Sequence, residues 1–211
     1  MRQPKYSEEM KNEQKVYLYG ASGHGKVVAE IAEAMGLQMG GFIDDNPQLE
    51  EIWGFPVYSS IPAEAVSVFY SVGNNLTRKK LVEKYHHHPS FNLIHPNSYL
   101  STRTYLGCGN AIMAGVIINP DVKIGNHCII NTQSSIDHES VLEDYVHISP
   151  NVALAGNVKV KEGAHVGIGA SVIQGITIGK WATVGAGAVV IEDVPDFAVV
   201  VGNPAKVIKI K

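Results

Sequence analysis

Every sixth residue from Ile94 to Val190 is isoleucine, leucine or valine, seventeen positions in succession without an insertion. At roughly one chance in three per position, accident is excluded. Four residues beyond each lies a second set of mostly small or β-branched side chains, running from Ser98 through Asn110, Val116, Cys128 and Ser140 to Ala188. An amphipathic helix needs apolar spacing near 3.6, and hairpins need turn residues between strands. A beat of six fits neither. It fits one short strand and one corner per hexad, with three hexads closing a triangular coil of 18 residues. Successive coils then stack at the ~4.8 Å spacing of hydrogen-bonded strands. The aliphatic residue fills the prism and the small one fits the tight space near the corner. Residues 93–192 are therefore expected to form an all-β parallel β-helix.

Cys128 falls in the small set and reads as packing rather than as a reactive thiol. With Cys108 as the only other cysteine, neither a disulfide framework nor a CxxC metal clip can form. Charged residues make up 18% and the net charge is −3, which supports neither a nucleic-acid surface nor a polybasic membrane surface. No stretch approaches the ~20 apolar residues of a spanning helix. The first apolar run, VYLYGASG, stops at glycine after four residues, unlike a secretory leader. The reading is a cytoplasmic protein without membrane insertion, with residues 1–14 as a flexible polar extension.

Residues 15–92 obey other rules. A strand Val16–Tyr19 leads into a glycine turn and a helix with Val27, Val28, Ile31 and Ala32 on one face. A second strand ends at Asp44 and Asp45, a third ends in SVGNN, and LTRKKLVEKYHHH reads as a charged amphipathic helix. Alternating strand and helix implies a Rossmann-like α/β domain with a parallel sheet. The turn Gly20-Ala21-Ser22-Gly23-His24-Gly25 is GxxGxG rather than GxGxxG, and alone it is a weak motif. Small residues there still let backbone N–H groups approach an anion at a helix N-terminus. The acidic pair and Gly73 close strands at the same edge, where ligands of such sheets gather. Ordinary turn chemistry is the competing reading. The domain is short, so a single nucleoside diphosphate suits it better than a dinucleotide.

These segments together carry a resemblance. YGASGHGKV, a FIDD strand end, VGNN, then hexads containing NTQSSIDHES and a closing VVGNPAKVI resemble the sialic acid O-acetyltransferase and nucleotide-sugar N-acetyltransferase family. The nearest members to it are those acting on UDP-4-amino sugars in the bacillosamine pathway. The resemblance implies a left hand for the β-helix, against the usual right-handed crossover preference. It implies acetyl-CoA as co-substrate, no metal, and a homotrimer with active sites between neighbouring prisms. It assigns His138 as general base and Glu139 as the neighbour raising its basicity, with Gly156 an oxyanion donor. His147, Ile168 and Ala186 would line the acetyl-CoA channel, which residues 193–211 would close. Ser22, Gly23, His24, Asp44, Asp45 and Gly73 would hold the nucleotide sugar, and Asn131 would meet it near the amine. The chain has Ala186 where many members have glycine, and IDHE where many have IEHE.

The residues themselves place His138 and Glu139 two and three positions past inward Ile136, off the packed wall. An imidazole with an ordinary pKa near 6.5 can accept a proton near neutrality, and a carboxylate partner orients it. A solvated corner histidine is the bland alternative. His147 and His165 stand 18 apart in a column with Ala111 and Ile129, a partly apolar outward stripe expected to be a subunit contact. His86, His87 and His88 are expected to end a helix and suit its dipole. Two other classes of function compete with transfer to a nucleotide sugar. A zinc enzyme would need three converging imidazoles, and His127, His138, His147 and His165 lack a close pair. A non-catalytic nucleotide-sugar-binding scaffold would leave the His-Glu pair unused. Within the enzyme reading, O-acetylation of sialic acid is the runner-up.

Overall fold

The computed structural model describes residues 15–45, 48–88 and 90–211. The expected extension at 1–14 lies outside them. Strand β1 (Val16–Tyr19) is followed by α1 (Gly23–Ala34), β2 (Met39–Ile43), β3 (Glu51–Ile52), β4 (Phe55–Tyr58), β5 (Ser67–Tyr70) and α2 (Asn75–Lys84). The sheet order is β3-β4-β2-β1-β5. β1 pairs in parallel with β2 and β5, β2 with β4, and only β3 runs antiparallel at the edge. That edge hairpin turns through Trp53 and Gly54, both at positive φ, the geometry of a tight primed turn. In the turn before α1, a Cβ on Gly25 would sit 1.9 Å from the Gly20 carbonyl oxygen, so only glycine lets this helix start so close to β1.

From Leu93 the chain coils into a left-handed parallel β-helix. Its two-residue strands each end on an inward aliphatic residue, and Ile94 pairs with Ile112, one coil of 18 residues on. Three faces result. The first carries Leu93–Ile94, Ala111–Ile112, Ile129–Ile130, His147–Ile148, His165–Val166 and Thr183–Val184, extended by Ala198–Val201 and the antiparallel Lys206–Ile210. The second runs from Tyr99–Leu100 to Val189–Val190, and the third from Tyr105–Leu106 to Thr177–Ile178. The inward residues form one core together with the small set. Polar members of that set are satisfied: buried Asn110 accepts from Cys128 N at 2.7 Å and donates to the Gly125 carbonyl at 3.0 Å.

The corners explain the beat. At every hexad from Gly109 to Gly187 the residue three past the inward one lies at positive φ, including Gln133, Glu139, Tyr145 and Trp181. Such geometry costs roughly 1–2 kcal/mol for an ordinary L-residue, and the surrounding ladder holds it there.

The front domain packs on the first face. Leu93, Ala111, Met113 and Ile129 share a core with Val28, Ile31, Phe42 and Phe69, and Ala111 and Ile129 are 1% and 2% exposed. The column expected to be a subunit contact is therefore covered by the chain's own front domain. Sequence periodicity shows which residues face outward but not what covers them. Two smaller departures concern helices. Val27 is exposed rather than on the packed face of α1, and α2 ends at Lys84, so His86–His88 lie beyond it. Among the described residues no helix is long and apolar enough to cross a membrane.

Above the apolar part the interface is polar. Arg78, 1% exposed, donates from Nε to the His127 carbonyl at 2.8 Å and from Nη2 to the Tyr145 carbonyl at 3.0 Å. Asn75 Nδ2 donates to the Gly163 and Ala164 carbonyls at 3.1 and 3.2 Å. Lys79 meets Glu162 at 2.6 Å, with its ammonium 5.7 Å from the ring centres of both Tyr145 and Trp181.

Three histidines at this interface are pushed down from the usual 6.5. His24 and His127 fall to about 4 through burial and then the Arg78 charge. His147 falls to about 2 through burial and then His165 and Arg78. Well above pH 6.5 all three are neutral in both states. Between 6.5 and about 4 the unfolded chain takes up protons that the folded chain refuses, so stability falls with pH. The thermal midpoint should drop across that window, and less steeply in His147→Gln. A slope unchanged by that substitution would show that His147 is not buried neutral.

Candidate active site

His138 and Glu139 stand on the corner between the second and third faces. Their side chains are 58% and 66% exposed, and His138 Nδ1 and Glu139 Oε2 are 3.2 Å apart. Asp137 organises the turn: its Oδ1 accepts from His138 N and from Asn119 Nδ2, both at 2.8 Å. The Asn119 bond and then the His138 N–H hold its carboxyl below the usual range. One coil on, Gly156 lies against the imidazole, and a Cβ there would be 2.5 Å from His138 Cε1. The Gly156 carbonyl accepts from Gly175 N at 3.0 Å, while its own N–H makes no hydrogen bond among the described residues. Asp137, His138, Ala155, Gly156, Asn157, Gln174 and Gly175 line an open cleft of about 440 Å³. An imidazole, a carboxylate beside it and an unspent backbone N–H thus converge on one concave surface.

The residues expected to hold a nucleotide gather at the C-terminal edge of the front sheet. Ala21 N donates to Asp44 Oδ2 at 3.3 Å, and Tyr19 Oη donates to Asp45 Oδ1. Ser22 and Gly23 are exposed at the start of α1. His24 Nε2 is buried without a hydrogen-bond partner. An orphaned ring nitrogen is costly unless something outside the chain satisfies it. Gly73 lies beside His24, and its carbonyl accepts from His147 Nδ1 at 3.3 Å.

His147 is buried between the domains, its ring 6.2 Å from that of His24. Its Nε2 meets Asn131 Nδ2 at 3.3 Å. His165 stacks on His147 at 4.6 Å and is hydrogen-bonded to Ser149 Oγ at 2.8 Å. Ile168 and Ala186 are exposed one above the other, on the corner between the first and second faces. The structure therefore brings His24, Gly73, His147 and Asn131 together. It leaves His138 on the next corner of the prism, across the second face from Ile168 and Ala186. Among the described residues no group of three His, Cys, Asp or Glu side chains could hold a metal. Arg78 was missed by sequence reading, since an arginine on a charged helix carries no mark of burial.

Comparison with known proteins bears directly on this arrangement. Residues 15–85 match the family model of the PglD N-terminal domain. The chain is 30% identical over 198 residues to GDP-perosamine N-acetyltransferase of Escherichia coli O157:H7, covering 88% of this chain and 81% of that protein. It belongs to the hexapeptide-repeat nucleotide-sugar acetyltransferases. Among solved structures of this family, a histidine-to-asparagine mutant of perosamine N-acetyltransferase from Caulobacter crescentus, in complex with CoA and GDP-perosamine, superposes with a TM-score of 0.89. It is 39% identical, over 93% of this chain and 98% of that one. The acetyltransferase domain of PglB from Neisseria gonorrhoeae, in complex with acetyl coenzyme A, gives 0.84 at 36% identity, over 92% and 99%. The protein is an acetyltransferase.

For an acetyltransferase, the approach of Gly156 to His138 is a sensitive point. Gly156→Ala forces the imidazole aside, and kcat should fall by up to ~10²-fold, the scale of an ångström's misplacement. Circular dichroism should stay native. Unchanged kcat would show that the observed imidazole position is not the working one.

Proposed function

We propose that the protein transfers the acetyl group of acetyl-CoA to the 4-amino group of a nucleoside-diphosphate-linked 4-amino-4,6-dideoxy sugar. His138 beside Glu139, with Gly156 against the ring at the wall of an open cleft, carries the reading. The family resemblance implies uridine as the nucleoside. Relatives of nearly full coverage that act on or hold GDP-perosamine move the preference to a GDP-linked sugar.

The amine nitrogen attacks the thioester carbonyl, forming the C–N bond, and the carbonyl oxygen takes up negative charge facing the Gly156 N–H. His138 accepts the proton released from nitrogen, with Glu139 orienting the ring and balancing the imidazolium. Collapse breaks the C–S bond, and the proton passes to the departing thiolate as CoA-SH. Ser22, Gly23, His24, Asp44, Asp45 and Gly73 hold the nucleotide. The buried His24 Nε2 supports this, because a diphosphate oxygen would satisfy it.

The arrangement calls for more than one copy. Ile168 and Ala186, the acetyl-CoA contacts, lie on one corner and His138 on the next. The second face between them has an uncharged outward column: Tyr99, Ile117, Ser135, Ala153, Ser171 and Val189. Tyr99 is 60% exposed and Ile117 47%, and flat exposed apolar surface of this kind marks association. Three copies packed by their second faces around a three-fold axis bring one copy's His138 corner to the next copy's Ile168 corner.

His138→Ala should lower kcat by roughly the 10²–10⁴-fold typical of a lost general base, with the acetyl-CoA KM little changed. Release of CoA thiol, followed across GDP-, UDP- and dTDP-4-amino sugars and free sialic acid, tests the substrate. The GDP sugar should turn over best and sialic acid not at all. Preferential acetylation of sialic acid, or wild-type rates in His138→Ala, would end the reading.

A further inference from the structure

We propose that Arg78 is a positioning residue: through the chain Arg78–Gly73–His147–Asn131 it fixes the nucleotide loop in register with the amide that meets the sugar. The inference deepens the proposed function and rests on its reading of Gly73 and Asn131 as substrate contacts.

Arg78 is almost wholly inaccessible, yet its acceptors among the described residues are all neutral. On the front domain Nη1 donates to the Val72 carbonyl at 2.8 Å and to the Gly73 carbonyl at 3.5 Å, and Nη2 to Asn75 Oδ1 at 2.9 Å. On the prism the acceptors are the carbonyls of His127 and Tyr145, which belong to adjacent coils. A buried charge without a counter-charge is an expensive way to obtain stability. What a rigid planar fork supplies is direction. Here it ties the Val72–Gly73 loop to two successive rungs of the prism.

The hydrogen bonds beyond Gly73 have one consistent polarity. The Gly73 carbonyl can only accept, so His147 Nδ1 carries the hydrogen. Burial keeps that ring neutral, which leaves a lone pair on Nε2 to accept from Asn131 Nδ2. The far side of Asn131 fixes the same amide orientation independently, because its Oδ1 accepts from Thr132 N at 2.9 Å. Two assignments made from opposite ends agree. Asn131 retains one N–H for a ligand, and the bonds through His147 and Gly73 to Arg78 set its direction. The front domain supplies the loop and the prism supplies the amide. Arg78 holds the two together at the top of an interface whose apolar part lies lower, around Ala111 and Ile129.

The test uses the full-length protein with 15N-labelled histidine, as wild type, Arg78→Met and Arg78→Lys. Lysine keeps a charge but has one nitrogen to share among these carbonyls, so it separates charge from direction. Imidazole 15N spectra should show wild-type His147 as the Nδ1–H tautomer and show that signature lost in both variants. Steady-state kinetics should show KM for the nucleotide sugar raised about tenfold or more, with KM for acetyl-CoA within about twofold of wild type. If Arg78→Met does not fold, Arg78→Lys decides alone. An Nε2–H tautomer in the wild type, or wild-type nucleotide-sugar KM in Arg78→Lys, would overturn the proposal. So would equal rises in both KM values, which mean general loosening. Absence of any acyl transfer by the wild type would instead sink the proposed function, and the tautomer spectra would still decide the hydrogen-bond chain.

Discussion

The 18-residue register of the coils governs everything built on them. Each strand pairs with the strand one coil earlier at a fixed offset, from Ile94 with Ile112 up to Val166 with Val184. A side chain on the wall therefore stands directly above the one 18 residues before it, and its column cannot drift. The register in turn depends on corners that tolerate positive φ, which the hydrogen bonds from coil to coil enforce even on Tyr145 and Trp181. Glu139 occupies one of these corners. That is why its carboxylate swings to the side of the His138 imidazole instead of continuing along the wall.

From this constraint follows a division of labour among the walls. The first face is apolar at its lower end and histidine-lined above, and the front domain covers it. The third face carries Lys123 and Lys159 outward and suits solvent. The second face, uncharged and partly aromatic, is left for another copy of the chain in the proposed assembly. Catalysis by His138 would then borrow its acyl donor from a neighbour, while the sugar is presented by a front domain locked to its own prism. The lock is polar where it must be specific and apolar where it must be strong. Burial of Ala111, Met113 and Ile129 supplies adhesion, and the directional bonds of Arg78, Asn75 and His147 supply alignment.

Much of this could be read from the chain. The aliphatic beat fixed the prism and the inward residues, because a period is a property of spacing alone. The glycine turn and the acidic strand end located the C-terminal edge of the front sheet, because tight turns demand particular residues. His138 beside Glu139 needed only the hexad count to be placed off the wall. What escaped reading depended on contacts between distant segments. The Ala111–Ile129 column advertised an outward apolar surface and not the front domain that hides it. Arg78 looks like any solvated helix charge until the helix is docked. The β3–β4 hairpin, with a two-residue edge strand, is too short to show alternation, although Trp53-Gly54 was an available turn signal. His147 has the spacing of a wall residue, and spacing alone does not reveal that its ring meets the Gly73 carbonyl.

The central claim is that one working site takes a corner from each of two copies. Mixing two separately inactive proteins, His138→Ala and Ala186→Glu, and reassembling them tests it most directly. In a cyclic trimer every mixed assembly would contain one junction with both corners intact, so an equal random mixture should recover about a quarter of wild-type activity. Mixed assemblies demonstrated by mass, yet still inactive, would contradict the account.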